Sequence, residues 1–123
     1  HLDTDIETLM MADSMEMTDS QRSYIIERCL EIPQKQIIIT HGTDTLVETA
    51  KCLGEANMDK TIILTGAMIP FKFGSSDGLF NLGSALSFVQ TLPSGVFVAM
   101  NGNCFNWDNV RKNTKLGLFE NLN

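Results

Sequence analysis

The stretch Ile37-Ile38-Ile39-Thr40-His41-Gly42-Thr43-Asp44-Thr45 decides how this chain folds. Three consecutive β-branched apolar residues read as a strand buried on both faces, the kind found inside a parallel sheet. The run stops in small and polar residues, and Thr45-Leu46-Val47-Glu48 has the form of a helix capping box. The expected order is strand, short polar turn, helix N-terminus. In open α/β sheets ligands collect at the carboxyl ends of the strands, where such turns sit. A Thr, an Asp and a His in one turn make it the first place to look for chemistry.

The same alternation extends on both sides. Upstream, residues 1–7 are acidic and patternless, and Thr8-Leu9-Met10-Met11 is a short strand candidate. Thr18-Asp19-Ser20-Gln21 is a second capping box, opening a helix to about Leu30 whose apolar pairs are Ile25 with Cys29 and Ile26 with Leu30. Ile32-Pro33 ends it, since proline disfavours helix in the residue before it. Downstream, a helix over about 45–56 presents Leu46, Ala50 and Leu53. Thr61-Ile62-Ile63-Leu64-Thr65 is another buried strand, and it breaks into a long loop through Gly66 to Ser76. Asp77 is expected to cap a helix with the stripe Leu79, Leu82, Leu86, Val89, where Gly83 would allow close approach. Pro93-Ser94-Gly95 punctuates, and Val96-Phe97-Val98-Ala99-Met100 is a third strand. A polar connection then carries Trp107 and leads to Asn109–Thr114. Phe80, Phe88 and Phe97 are expected in the core. Strands separated by helices imply βαβ crossovers. The predicted fold is a doubly wound α/β layer, with a mainly parallel sheet and helices on both faces, forming one domain over residues 1–123.

Composition excludes several classes. With 43% hydrophobic and 20% charged residues the chain is ordinary globular material. A formal net charge of -6 argues against nucleic acid and anionic membrane surfaces as partners. No apolar run approaches the roughly 20 residues of a membrane span. Residues 1–5 lack the basic and apolar regions of a signal peptide, which favours the cytoplasm. Cys29, Cys52 and Cys104 are odd in number and widely spaced, so neither a zinc site nor a disulfide framework is implied. Cys29 and Cys52 read as small buried apolar residues on helices.

If the three strands are parallel neighbours, their ends at Thr40–Asp44, Thr65–Met68 and Met100–Gly102 converge on one edge. A threonine hydroxyl attacks only when a base takes its proton, and a desolvated neutral lysine oriented by a carboxylate can serve. Thr43, Lys112 and Asp44 supply those residue types. On residue type alone, however, Asp44 and Thr45 are first of all helix N-caps. His41 has no partner placed for metal and reads as a satisfied structural histidine. Gly66 to Gly74 lacks the Gly-Lys-Ser/Thr ending of a phosphate loop. Phe71 and Phe73 read as a packing or interface pair, and Lys72, Arg111 and Lys115 as surface charges.

Five segments taken together resemble the bacterial-type L-asparaginase/glutaminase family. Thr40-His41-Gly42-Thr43-Asp44-Thr45 is similar to its second signature, and Gly66-Ala67-Met68-x-Pro70 to the loop after the next strand. Ser76-Asp77-Gly78-x-Phe80-Asn81-Leu82 resembles the following helix start. Met100-Asn101-Gly102 and Asp108-Asn109-Val110-x-Lys112 resemble the stretch carrying the family lysine. Asp13-Ser14-x-Glu16-Met17 is similar to the loop that binds the substrate carboxylate. The resemblance implies that Thr43 works with Lys112 and Asp44, that Asp44 also grips the substrate α-amino group, and that Ser14, beside Met15, holds the α-carboxylate. The Ala67 carbonyl would receive the side-chain amide. The implied reaction is acyl transfer to a threonine hydroxyl, loss of ammonia and hydrolysis, with no cofactor or metal.

Three departures accompany the match. Nothing in residues 1–13 resembles the family's first signature, a T-G-G-T stretch carrying the primary nucleophile, so a first strand and lid segment are expected upstream of His1. The second, C-terminal domain of full-length members has no counterpart either. Met15 stands where many members have Gln, and a thioether cannot donate that side chain's hydrogen bond. The expected function is hydrolysis of asparagine or a related amino-acid amide by a homo-oligomer, dimer or tetramer. The alternatives are a catalytically weak amino-acid-binding module, or an interaction domain using the Phe71-Lys72-Phe73 loop.

Overall fold

A computed structural model describes residues 3–10, 14–69 and 74–123. The strand read from the isoleucine run is β1 (Gln36–Thr40), and it is followed in the sheet by β2 (Thr61–Thr65), β3 (Gly95–Met100) and β4 (Asn103–Asn106). The order is β1-β2-β3-β4; the first three strands are parallel, and β4 turns back antiparallel on β3. A separate antiparallel pair, β5 (Arg111–Asn113) and β6 (Leu118–Glu120), lies beyond it. Among the described residues the α-helices are α1 (Asp19–Glu31), α2 (Leu46–Glu55) and α3 (Gly78–Thr91).

Period-2 alternation divides the core between the two faces of the sheet. Ile62, Leu64, Val96, Val98 and Met100 face α1 and α2, meeting Ile25, Cys29, Leu46, Ala50 and Leu53. Ile63 and Ala99 face the other way, toward Ala85 and Val89 of α3. Each fully buried Ile or Leu contributes roughly 1.5–3 kcal/mol. Helices therefore cover both faces, as the doubly wound reading requires. Every residue of β2 is buried, whereas β1 is an edge strand with its isoleucines half-buried.

Several local expectations are corrected. Residues 8–10 form no strand; Leu9 and Met10 instead pack against the α1/α2 core, and Met11 lies outside the described residues. The α1 capping box forms as expected, with Gln21 N donating to Thr18 Oγ1 and Thr18 N to Gln21 Oε1. Leu30, by contrast, is exposed. The buried face of α3 is Asn81, Ala85 and Val89, not the leucine stripe; Leu79 is 70% and Phe80 63% exposed. A polar residue, Asn81, sets that rotation, and an apolar-stripe reading counts it on the wrong side. Gly83 makes no close approach, since a Cβ there would meet nothing within 4 Å. Cys29 is buried and Cys52 only half-buried. The strands β4, β5 and β6 replace the expected polar connection; they are too short and polar to announce themselves. Among the described residues, no helix is long and apolar enough to cross a membrane.

Candidate active site

Parallel pairing puts the ends of β1, β2 and β3 on one edge, with Thr40 opposite Thr65. The β1–β2 ladder continues into the turn through His41 N donating to Thr65 O at 2.9 Å. Gly66 then passes so close to the His41 carbonyl that a Cβ would lie 2.2 Å from its oxygen, and the Thr43 methyl borders the same space. Only glycine fits there. Gly42 is restricted likewise, because a Cβ would stand 2.6 Å from the Ser14 Cβ. These two contacts bring the Ser14 loop, the Thr43 turn and the Ala67 loop together.

Lys112 reaches this edge from β5. Its Nζ donates to Thr43 Oγ1 at 2.9 Å and to Asp44 Oδ1 at 3.0 Å. The lysine side chain is mostly covered, at 17% exposure, while Asp44 is at 48%. Asp44 is thus a partner of Lys112, and the expectation of a plain helix cap is replaced. The hairpin carrying Lys112 is fixed from behind: Lys112 pairs with Phe119, whose N–H donates to Asn101 Oδ1. Asn101, at the end of β3, has a left-handed φ of 58° and donates its own N–H to Asn81 Oδ1.

Ser14 is buried in a short 3-10 turn (Ser14–Glu16) and tied to Thr45 by three bonds. Thr45 N donates to Ser14 Oγ at 2.7 Å, and Thr45 Oγ1 donates to Ser14 O at 2.7 Å. The hydroxyls also lie 2.7 Å apart. Each hydroxyl carries one proton, so Ser14 Oγ must donate to Thr45 Oγ1 in this arrangement. The capping box expected at Thr45 does not form for this reason: its hydroxyl is turned to Ser14 and makes no cap bond. Met15 is 73% exposed next to Ser14. Asp13 lies outside the described residues, as do Pro70, Phe71, Lys72 and Phe73, on which an interface pair and a surface charge were read. Arg111 is exposed and pairs with Glu120, and Lys115 is exposed.

His41 is 9% exposed and doubly bonded, through Nδ1 to Gly42 O at 2.6 Å and Nε2 to Thr49 Oγ1 at 2.8 Å. A carbonyl only accepts, so Nδ1 carries the proton and Nε2 accepts from the Thr49 hydroxyl. Thr49 in turn accepts from Arg22 Nε at 3.1 Å. Burial lowers the His41 pKa below its ordinary value, against the raising effect of the Gly42 bond. The histidine is structural, holding the turn in front of Thr43.

Ala67 borders a cavity of about 370 Å³ together with Thr40, His41, Gly42, Thr65, Gly66 and the start of α3. Asp77 does not cap α3 with its side chain; the carboxylate accepts instead from Met68 N and Ile69 N, each at 3.0 Å. Burial alone would raise the Asp77 pKa, but these N–H groups, its own backbone N–H and the Asn81 amide outweigh it and hold the pKa below the ordinary value. Asp77, Asn81, Thr45 and Asn101 are the residues that sequence reasoning passed over. Their signal was present in the matched segments, but it was spent on capping and packing. Among the described residues, no three His, Cys, Asp or Glu side chains gather as a metal-ligand group.

Residues 1–120 match the family model described as "Asparaginase, N-terminal". The chain is 35% identical over 117 residues to a glutaminase-asparaginase of Acinetobacter glutaminasificans, covering 89% of this chain and 35% of that protein. It is 38% identical over 92 residues to L-asparaginase 2 of Escherichia coli strain K12, covering 70% and 26%. The thermostable L-asparaginase of Thermococcus kodakarensis superposes with a TM-score of 0.84 at 30% identity, over 91% of this chain and 36% of that one. The chain thus spans about a third of the length of such relatives.

Proposed function

The chain belongs to the asparaginase family, and from that premise we propose that the protein is an amidohydrolase releasing ammonia from asparagine or a related amino-acid amide. The observation that carries the proposal is the Lys112 ammonium nitrogen within hydrogen-bond distance of both the Thr43 hydroxyl and the Asp44 carboxylate. Such a group can move a proton at Thr43 Oγ1 once Lys112 has released its own.

In this reading the Ser14 hydroxyl proton turns from Thr45 Oγ1 to the substrate α-carboxylate, with Met15 beside it, and the α-amino group meets Asp44. The side-chain amide donates an N–H to the Ala67 carbonyl. Acyl transfer to a threonine hydroxyl breaks the C–N bond, the amide nitrogen leaves as ammonia, and water hydrolyses the ester to the acid. Thr43, Lys112 and Asp44 handle protons in this cycle. The first attack belongs to the T-G-G-T threonine of the family, a signature that residues 1–13 do not contain.

A homo-oligomer is part of the same proposal, supported by exposed Ile69, Leu79 and Phe80 beside the site. A cytoplasmic location is also proposed, supported by three free thiols. The test is ammonia release from L-asparagine by the full-length protein, expected to be saturable and to be lost in Thr43→Ala. The same rate in Thr43→Ala would overturn the assignment.

A further inference from the structure

We propose that Asp77 is a positioning residue that aims and polarises the Ala67 carbonyl, so that this oxygen is a strong acceptor for an N–H of the substrate. The inference rests on the amidohydrolase reading for its substrate, and on geometry alone for the orientation.

The two peptide groups flanking Ala67 are both held. Gly66 O, in the peptide before it, accepts from Asn81 Nδ2 at 2.8 Å. Met68 N, in the peptide after it, donates to Asp77 Oδ2 at 3.0 Å. There are no cis peptide bonds among the described residues, and in a planar trans peptide C=O and N–H point in opposite directions. Fixing the Met68 N–H on Asp77 therefore fixes the Ala67 carbonyl pointing away from Asp77. No described residue donates to that carbonyl oxygen.

The carboxylate is itself held. Its other oxygen accepts from Ile69 N at 3.0 Å, and Asn81 Nδ2 donates to Oδ2 at 3.0 Å. Asn81 is completely buried and also receives the Asn101 N–H, which joins this assembly to the end of β3. An anion accepting a peptide N–H draws the amide's charge toward its carbonyl oxygen, because hydrogen bonds in series polarise one another. The Ala67 oxygen is thus more negative than an isolated carbonyl. It favours a ligand that brings an N–H, and it favours developing positive charge on a departing nitrogen. A carboxylate ligand offers neither, so Asp77 separates amide substrate from acid product.

The experiment uses the full-length protein labelled with 13C′-alanine and 15N-methionine. Residues 1–123 contain two Ala–Met peptides, Ala67–Met68 and Ala99–Met100. The second lies in β3 and is the internal reference. In Asp77→Asn, the Ala67–Met68 cross-peak is expected to move while the reference stays. The kcat for asparagine should fall roughly tenfold through mispositioning, with the inhibition constant of L-aspartate changed less than twofold. Asp77→Glu should recover part of kcat. An unmoved Ala67–Met68 peak overturns the proposal, and so does a moved peak with wild-type kcat. If Asp77→Asn does not fold, Asp77→Glu is read by the same two criteria. A wild-type protein without turnover refutes the amidohydrolase reading instead; the cross-peak then decides the orientation by itself.

Discussion

Lys112 Nζ sits 2.9 Å from Thr43 Oγ1, although 69 residues separate the two in sequence. The contact joins the end of the first parallel strand to a hairpin that lies outside the main sheet. It turns a common set of residue types into a site with a direction for proton movement.

Replacing the lysine separates orientation from proton transfer. Arginine keeps a donor near Thr43 but does not give up its proton. Lys112→Arg and Lys112→Met are both expected to lower kcat at least about 100-fold, with stability changed by about 1 kcal/mol for an ion pair whose carboxylate is half-exposed. Steady-state ammonia release and urea denaturation check both statements. Activity close to wild type in Lys112→Arg would assign the lysine an orienting role only.

The Ser14–Thr45 latch makes a different prediction. Thr45→Val removes both hydroxyl bonds to Ser14 and is expected to cost about 1–3 kcal/mol and to raise KM more than it lowers kcat. Thr45→Ser keeps the hydroxyl and should restore KM. Equal KM values in the two variants would detach Thr45 from substrate binding.

His41 gives a pH dependence of known sign. Its folded pKa lies below the ordinary 6.5, so between those values the unfolded chain binds more protons. The stability it contributes is present above about pH 6.5 and is lost as pH falls through the window down to the folded value. Urea denaturation between pH 8 and pH 5 should show this loss, and His41→Gln should flatten that part of the profile.

Two glycine substitutions should move stability in opposite directions. Gly66→Ala forces a Cβ onto the His41 carbonyl and should destabilise by more than about 1 kcal/mol while also disturbing the Thr43 turn. Gly83→Ala lies in open space within α3 and should stabilise by roughly 0.5–1 kcal/mol. Thermal melts of the two variants test the glycine assignments together.

The parallel core was legible because β1, β2 and β3 are apolar runs whose type and length admit few other readings, and α2 because Leu46, Ala50 and Leu53 keep helical spacing. The face of α3 was not legible: Asn81 is buried through its hydrogen bonds, and hydrophobicity does not register such burial. Nor were β4 to β6: each is only three or four residues long, and the single buried phenylalanine in β4 (Phe105) and in β6 (Phe119) makes no alternating pattern, so their pairing with β3 and with β5 is set by the fold. At the site, Thr43, Asp44 and Lys112 came from residue chemistry together with a family resemblance. Residue type alone assigned Asp44 to capping, and only the fold brings Lys112 to it. Asp77 and Asn81 were visible as residues but not as roles, because their partners are backbone groups of a loop that sequence does not place.

The most direct test of the account is ammonia release from L-asparagine by the full-length protein beside its Lys112→Met variant. Stoichiometric ammonia and aspartate are expected from the wild type, and none above background from a variant that still binds L-aspartate. Absence of ammonia from the wild type on both asparagine and glutamine, or undiminished release by Lys112→Met, would contradict it.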